Sequence, residues 1–167
     1  MANTFIKIAA VTVGAGGASS IDFTSIPATY TDLIVKISAR NTSSGDWFHL
    51  NFNGSTANFS GRQLFGTGGG VFSYTKTDGT EAFLNNNSST TTSTFSNSEI
   101  YIPNYAGSTN KSFSIDSVTE NNGTTAYAVL YAGRWSQTAA ITSLTFTPNA
   151  NNLAQYSTAT LYGIKNS

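Results

Sequence analysis

The chain has 167 residues, no cysteine, and eight basic residues balanced by eight acidic ones, so its formal net charge is zero. That length can build one core without disulfide staples. Charged residues make up only 10% of the chain, far below the ~25% of an ordinary domain, which disfavours partners held by charge, such as nucleic-acid backbones and anionic lipid.

Taken in chain order, the first predicted strand covers 4–13. Lys7 followed by the apolar run Ile8–Val13 and then Gly14–Ser20 mimics a secretory leader, but the run is short. Phe5, Lys7, Ala9, Val11 and Val13 also alternate against Ile6, Ile8, Ala10 and Thr12, the period of a strand. A short strand at 20–24 precedes one at 31–40, where Leu33, Val35, Ile37 and Ala39 share a face. Over 46–53, Phe48, Leu50 and Phe52 oppose Trp47, His49, Asn51 and Asn53. Further strands are expected at 61–65, 71–76, 81–84, 95–102, 111–120, 126–135, 140–147 and 157–164. In the 126–135 segment, Tyr127, Val129, Tyr131 and Trp135 lie on one side, interrupted only by Gly133.

Turn clusters separate these segments, with Asp78-Gly79 and Asn122-Gly123 the strongest hairpin signals because both pairs tolerate positive φ. No ten-residue window carries a helical period. The pattern predicts a single all-β domain over 1–167: two packed antiparallel sheets, about ten strands, almost no helix. Residues 85–98, nearly all Asn, Ser and Thr, read as an exposed flexible loop or an arm ordered by a neighbour. Only Lys7, Lys36, Lys76, Lys111 and Lys165 could guard sheet edges. A partner subunit covering an edge would serve the same end. No run approaches the ~20 apolar residues needed to span a bilayer, so no membrane partner is expected.

Catalytic and cofactor chemistry finds little to stand on. His49 is the one histidine and there is no thiol, whereas a metal site needs several converging ligands. It reads as a surface or contact residue, and no metal or other cofactor is expected. The eight carboxylates are scattered singly; Asp46 with Glu120 is the sort of pair a glycosidase would need, with nothing to single it out. A Ser-His-Asp site would have to use His49, and no Gly-x-Ser-x-Gly elbow exists. Gly66–Gly70 lacks the Lys-Ser/Thr and the helix of a phosphate loop. Three Arg and five Lys spread along the chain make no basic stripe for nucleic acid. The chain therefore reads as a non-enzyme.

Several strings occur in order: Phe23–Leu33 with Pro27, Tyr30 and Asp32; Phe52-Asn53-Gly54; Ile102-Pro103-Asn104-Tyr105 followed by Lys111; Gly133-Arg134-Trp135; Ala140–Ser143; and Leu161-Tyr162-Gly163-Ile164. This series, spanning nearly the whole chain, resembles small jelly-roll-like virion structural proteins of phages of aquatic bacteria, including cyanophages. Such proteins serve as head decoration or cement proteins or as tail-associated domains. The residues of the strings read as fold determinants: Pro27 fixes φ at a turn, Tyr30 and Asp32 tie it, and Gly133 and Gly163 allow a bulge or close strand approach.

The resemblance implies a jelly-roll-like sandwich in a virion. The favoured expectation is a capsid decoration or cement protein on the outer surface of the phage head. Its partners would be its own copies, as a homotrimer, and a major capsid protein. The alternative is a receptor-binding head of a tail fibre, with Trp47, His49 and Tyr74 as contact residues and a host surface glycan as partner. Anchoring is expected from 1–8, 41–47, 66–74 or the 85–98 arm.

Overall fold

The computed structural model describes residues 4–77, 81–123 and 126–165. Its strands are β1 (Phe5–Thr12), β2 (Ile21–Phe23), β3 (Asp32–Ala39), β4 (Trp47–Phe52), β5 (Phe59–Thr67) and β6 (Gly70–Thr77). The second half supplies β7 (Glu81–Leu84), β8 (Ser96–Pro103), β9 (Lys111–Val118), β10 (Ala128–Trp135), β11 (Leu144–Pro148) and β12 (Thr158–Ile164). Each of the twelve candidate segments contains a strand, slightly more than the overall count of about ten, and short β2 and β7 take the two edges of the smaller sheet. No helix occurs among the described residues.

Eight strands run β1-β12-β3-β8-β9-β10-β5-β6 and four run β2-β11-β4-β7, with every pairing antiparallel. Successive strands β1 to β4 alternate between the sheets, as do β7, β8, β11 and β12. These give the four-strand orders β1-β12-β3-β8 and β2-β11-β4-β7, a jelly roll. Two hairpins, β5–β6 and β9–β10, are inserted into its connections and extend one sheet only.

Residues between the sheets explain the closure. Phe48, Leu50 and Phe52 of β4 and Leu144 and Phe146 of β11 are buried against Leu33, Val35, Ile37, Ile100 and Ile102 of the large sheet. Phe52 is a hub, its ring 5.4 Å from Phe59, 5.2 Å from Phe113 and 5.7 Å from Trp135. Each such ring pair adds about 0.5–1.5 kcal/mol to the area it buries. The hub thereby pins the inserted strands to the small sheet.

One end of the sandwich is tied by hydrogen bonds, and the strings singled out in the sequence converge there. The Tyr105 hydroxyl donates to the Pro27 carbonyl, and the Asp32 carboxylate accepts from Asn104 N (2.9 Å) and the Tyr101 hydroxyl (2.9 Å). Asn53 Oδ1 accepts from Thr142 N (2.8 Å) and Ser143 N (3.1 Å), while its Nδ2 donates to Ala140 O (2.8 Å). This side chain replaces ladder bonds over 140–143, so β11 begins only at Leu144 rather than at 140. Asn53, with φ 52°, accepts the left-handed backbone this geometry needs.

Several expectations are corrected. A bulge between Lys7 and Ala9 switches the faces of β1, so Ile6 and Ile8 share the half-buried side with Ala9 and Val11. Gly133 and Gly163 lie in unbroken registers. Their role is to accommodate rings, since a Cβ at Gly133 would overlap Phe113 and one at Gly163 would overlap Tyr30. Tyr30 thus serves the turn with its ring, while Tyr105 supplies the hydroxyl. Lys111 guards no edge; it is 1% exposed. Its ammonium donates to the carbonyls of Gly107 (2.5 Å), Thr109 (2.5 Å) and Thr138 (3.2 Å).

The polar stretch 85–98 is not an exposed loop throughout. Asn85, Asn86 and Asn87 are buried, and Ser96 to Ser98 belong to β8. Asn85 Nδ2 donates to Asn41 Oδ1 (3.0 Å), and its Oδ1 accepts from Ser96 Oγ (2.7 Å). Arg40 grips the exposed middle, reaching Thr90 Oγ1, Thr90 O, Thr91 O and Thr94 O at 2.9–3.1 Å. Asn122, at φ 54°, takes the left-handed backbone expected of the Asn122-Gly123 pair, whereas Gly123 does not; the Asp78-Gly79 turn falls outside the described residues.

Candidate functional site

At the end opposite the tied one, the inserted strands carry the large sheet past the β7 edge. Ser117 Oγ of β9 donates to the Leu84 carbonyl (3.1 Å), covering an edge that would otherwise invite pairing. Trp47 and Leu84 alternate with core-facing Phe48 and Phe83, so they lie on the far face of the small sheet. The β5–β6 hairpin reaches them there, with Lys76 Nζ 5.1 Å from the Trp47 ring centroid.

A groove opens between hairpin and small sheet. Its aromatic part, about 290 Å³, is walled by Trp47, Phe65, Phe72, Tyr74 and Tyr127, with Leu84 beneath. Phe65 stacks on Tyr74 (5.5 Å, 5°) and on Phe72 (5.2 Å, 29°), and meets Tyr127 edge-on (5.7 Å). Tyr74 remains 50% exposed and Phe72 44%. A second, polar part of about 290 Å³ shares Asp46 and Tyr127 with the first. Asn86, Asn87, Thr119 and Asn121 line it.

Most amides of the polar part hold loops. Asn87 Nδ2 donates to Ser44 O (3.1 Å), and Asn121 bonds Thr119 O and Gly123 N. Asn86 is the exception: it is fully buried, its Oδ1 accepts from Asn121 Nδ2 (3.4 Å), and its Nδ2 has no partner. Burial first, and then the Asp46 carboxylate, hold the Tyr127 hydroxyl above the ordinary tyrosine pKa.

Of the three contact residues suggested by the sequence, Trp47 and Tyr74 meet across this groove. His49 does not line it. It sits half-buried two residues further along β4, in register with Thr147 and Glu81. Phe65, Phe72 and Tyr127 escape a sequence reading that assigns strand aromatics to the core, although the unbroken aromatic parity of 72 and 74 on an edge strand is a usable signal. No group of three or more His, Cys, Asp or Glu that could hold a metal occurs among the described residues, and they include no helix long and apolar enough to cross a membrane. Glu120 accepts from Asn122 N at 2.7 Å within its own turn.

The opposite face of the inserted strands carries a different feature. Leu130 of β10 pairs in register with Leu64 of β5 on one side and Asp116 of β9 on the other. With Val71 and Val118 they form an apolar patch, Val71 being 75% and Leu130 57% exposed. A shallow depression of about 410 Å³ begins at Leu64 and Leu130, flanked by Arg62 and Asp116. β6 ends the sheet, so one row of its backbone groups is unpaired by strands among the described residues. Comparison with protein-family models, curated proteins and solved structures finds no match.

Proposed function

We propose that this chain is a non-enzymatic structural protein of a phage particle, a decoration or cement protein seated as a homotrimer on the outer head surface. One observation carries this reading. Among the described residues no strand pairs with the outer edge of β6, and the face beside it exposes Leu64, Val71, Val118 and Leu130 next to a depression rimmed by Arg62 and Asp116. An apolar centre with a polar rim is the usual make-up of a protein contact. An open edge strand offers backbone pairing as well. The low charge of the chain removes a barrier to close packing of copies.

The trimeric number and the major capsid protein as second partner come from the sequence resemblance. A lattice of such contacts multiplies weak single affinities. The tail-fibre alternative has its own support in the groove between Trp47 and Tyr74.

Light scattering on the chromatographed protein tests the assembly. The expected result is a trimer that Leu130→Asp converts to monomers with an unchanged melting temperature. A wild-type monomer, or a trimer indifferent to Leu130→Asp, would overturn the seam. Density for the chain on the head shell in a particle reconstruction supports the decoration reading; density at the tail replaces it with the alternative.

A further inference from the structure

We infer that the groove between Trp47 and Asn86 is a binding site for a neutral saccharide of at least two sugar units. The inference does not depend on where in a particle the chain sits. It rests on three features that point to the same ligand chemistry.

The first is the division of the lining. One half presents rings, with Tyr74 and Phe72 about half exposed; the other presents amides and hydroxyls. A pyranose has the same division. Its axial C–H bonds make an apolar face that lies well on the electron-rich face of a ring, and its rim of hydroxyls both donates and accepts. The two halves meet at Asp46 and Tyr127, so one chain of sugars can touch both: one unit over the rings, the next beside the amides.

The second is Asn86. A fully buried amide whose Nδ2 has no acceptor is an unusual feature. It lines the polar half, where a sugar hydroxyl would supply the missing acceptor.

The third is charge. Among the described residues Asp46 is the one carboxylate of the lining and no cation lines either half, while Lys76 lies over the Trp47 ring. A sialylated or sulfated ligand would bring a second negative charge toward Asp46, against which the described lining offers no cation. Neutral sugars carry no such penalty.

The full chain is applied to a printed array of neutral and anionic oligosaccharides, and the strongest binder is then titrated against intrinsic tryptophan fluorescence. Trp47 lines the groove whereas Trp135 is buried in the core, so a signal lost in Trp47→Phe reports the site. The expected outcome is retention of neutral oligosaccharides, weakened about tenfold by Tyr74→Ala and similarly by Asn86→Asp, which keeps the Oδ1 acceptor and removes the donor. Tyr156→Ala, an exposed ring outside the groove, should change nothing. The site is refuted if a protein with intact melting behaviour retains no neutral glycan, retains only anionic ones, or binds regardless of Tyr74→Ala. Binding lost together with trimers in Tyr74→Ala would make the groove a subunit seam and also overturn it. The Leu130→Asp experiment reads the other face, so the two proposals fail separately.

Discussion

Lys111→Met isolates the most unusual polar arrangement in the fold. Lys111 opens β9, is 1% exposed, and donates from its ammonium to three carbonyls, those of Gly107, Thr109 and Thr138. It thereby joins the turn before its own strand to the segment after β10. Methionine keeps most of the aliphatic stem and removes the charge. Each carbonyl then loses a charged donor, a bond worth ~1.5–3 kcal/mol. Relief from burying an ammonium, a penalty of several kcal/mol in real proteins, returns part of that sum.

The balance is a loss of about 2–4 kcal/mol, because the three carbonyls stay in place with no donor supplied by methionine. For a chain of this size that lowers the melting temperature by about 5–15 °C. Calorimetry at neutral pH measures it, and hydrogen exchange should report the loss first over 107–111 and 136–139. A melting temperature within about 2 °C of wild type would mean that desolvation cancels the three bonds. The account of Lys111 as a tie would then be wrong.

Three further outcomes follow from the same geometry. Gly133→Ala forces a methyl into the Phe113 ring and should cost about 1–3 kcal/mol by overpacking, read as an earlier denaturation midpoint with an unchanged slope. Arg40→Gln removes the guanidinium that holds Thr90, Thr91 and Thr94; limited proteolysis should cut within 88–94 sooner while the melting temperature falls by only a few degrees. Burial holds the Tyr131 hydroxyl above its ordinary value of 10.0, so the folded chain keeps this proton to higher pH than the unfolded one. That contribution is complete below pH 10 and is lost as pH rises through the folded value. Melting curves of Tyr131→Phe should therefore fall less steeply above pH 10 than those of wild type.

The strands were legible wherever alternation was local. Phe48, Leu50 and Phe52 face the core as their spacing predicts, and so do Leu33, Val35 and Ile37. What local pattern could not reveal is what a distant segment supplies. The bulge at Lys7 to Ala9 reverses the faces of β1 without any turn residue to announce it. Asn85, Asn86 and Asn87 look like surface because amides usually are, yet Asn41, Ser44 and Asn121 arrive from elsewhere to bond them. Lys111 reads as solvated until three carbonyls from two loops close on it. The strand positions of Trp47 and Tyr74 were legible in the sequence. Their meeting was not, since it depends on the β5–β6 hairpin reaching the outer face of β4 and β7.

The topology separates holding from touching. The residues that tie the sandwich at one end lie in or beside jelly-roll strands: Asp32 opens β3, Asn53 follows β4, Tyr105 lies just past β8, and the segment at 140–143 precedes β11. Both surface features instead belong largely to the inserted strands. Leu64, Val71 and Leu130 lie on one face of β5, β6 and β10, while Phe65, Phe72 and Tyr74 lie on the other. A hairpin added at the edge of a sheet costs the core little, because loop-closure entropy grows only slowly with length. Period two then gives it two independent faces at once. Substitutions at odd and even positions of β6 should accordingly change different properties, Val71 the assembly and Tyr74 the groove, and neither should disturb the buried Phe52 hub that anchors the neighbouring strands from the far end.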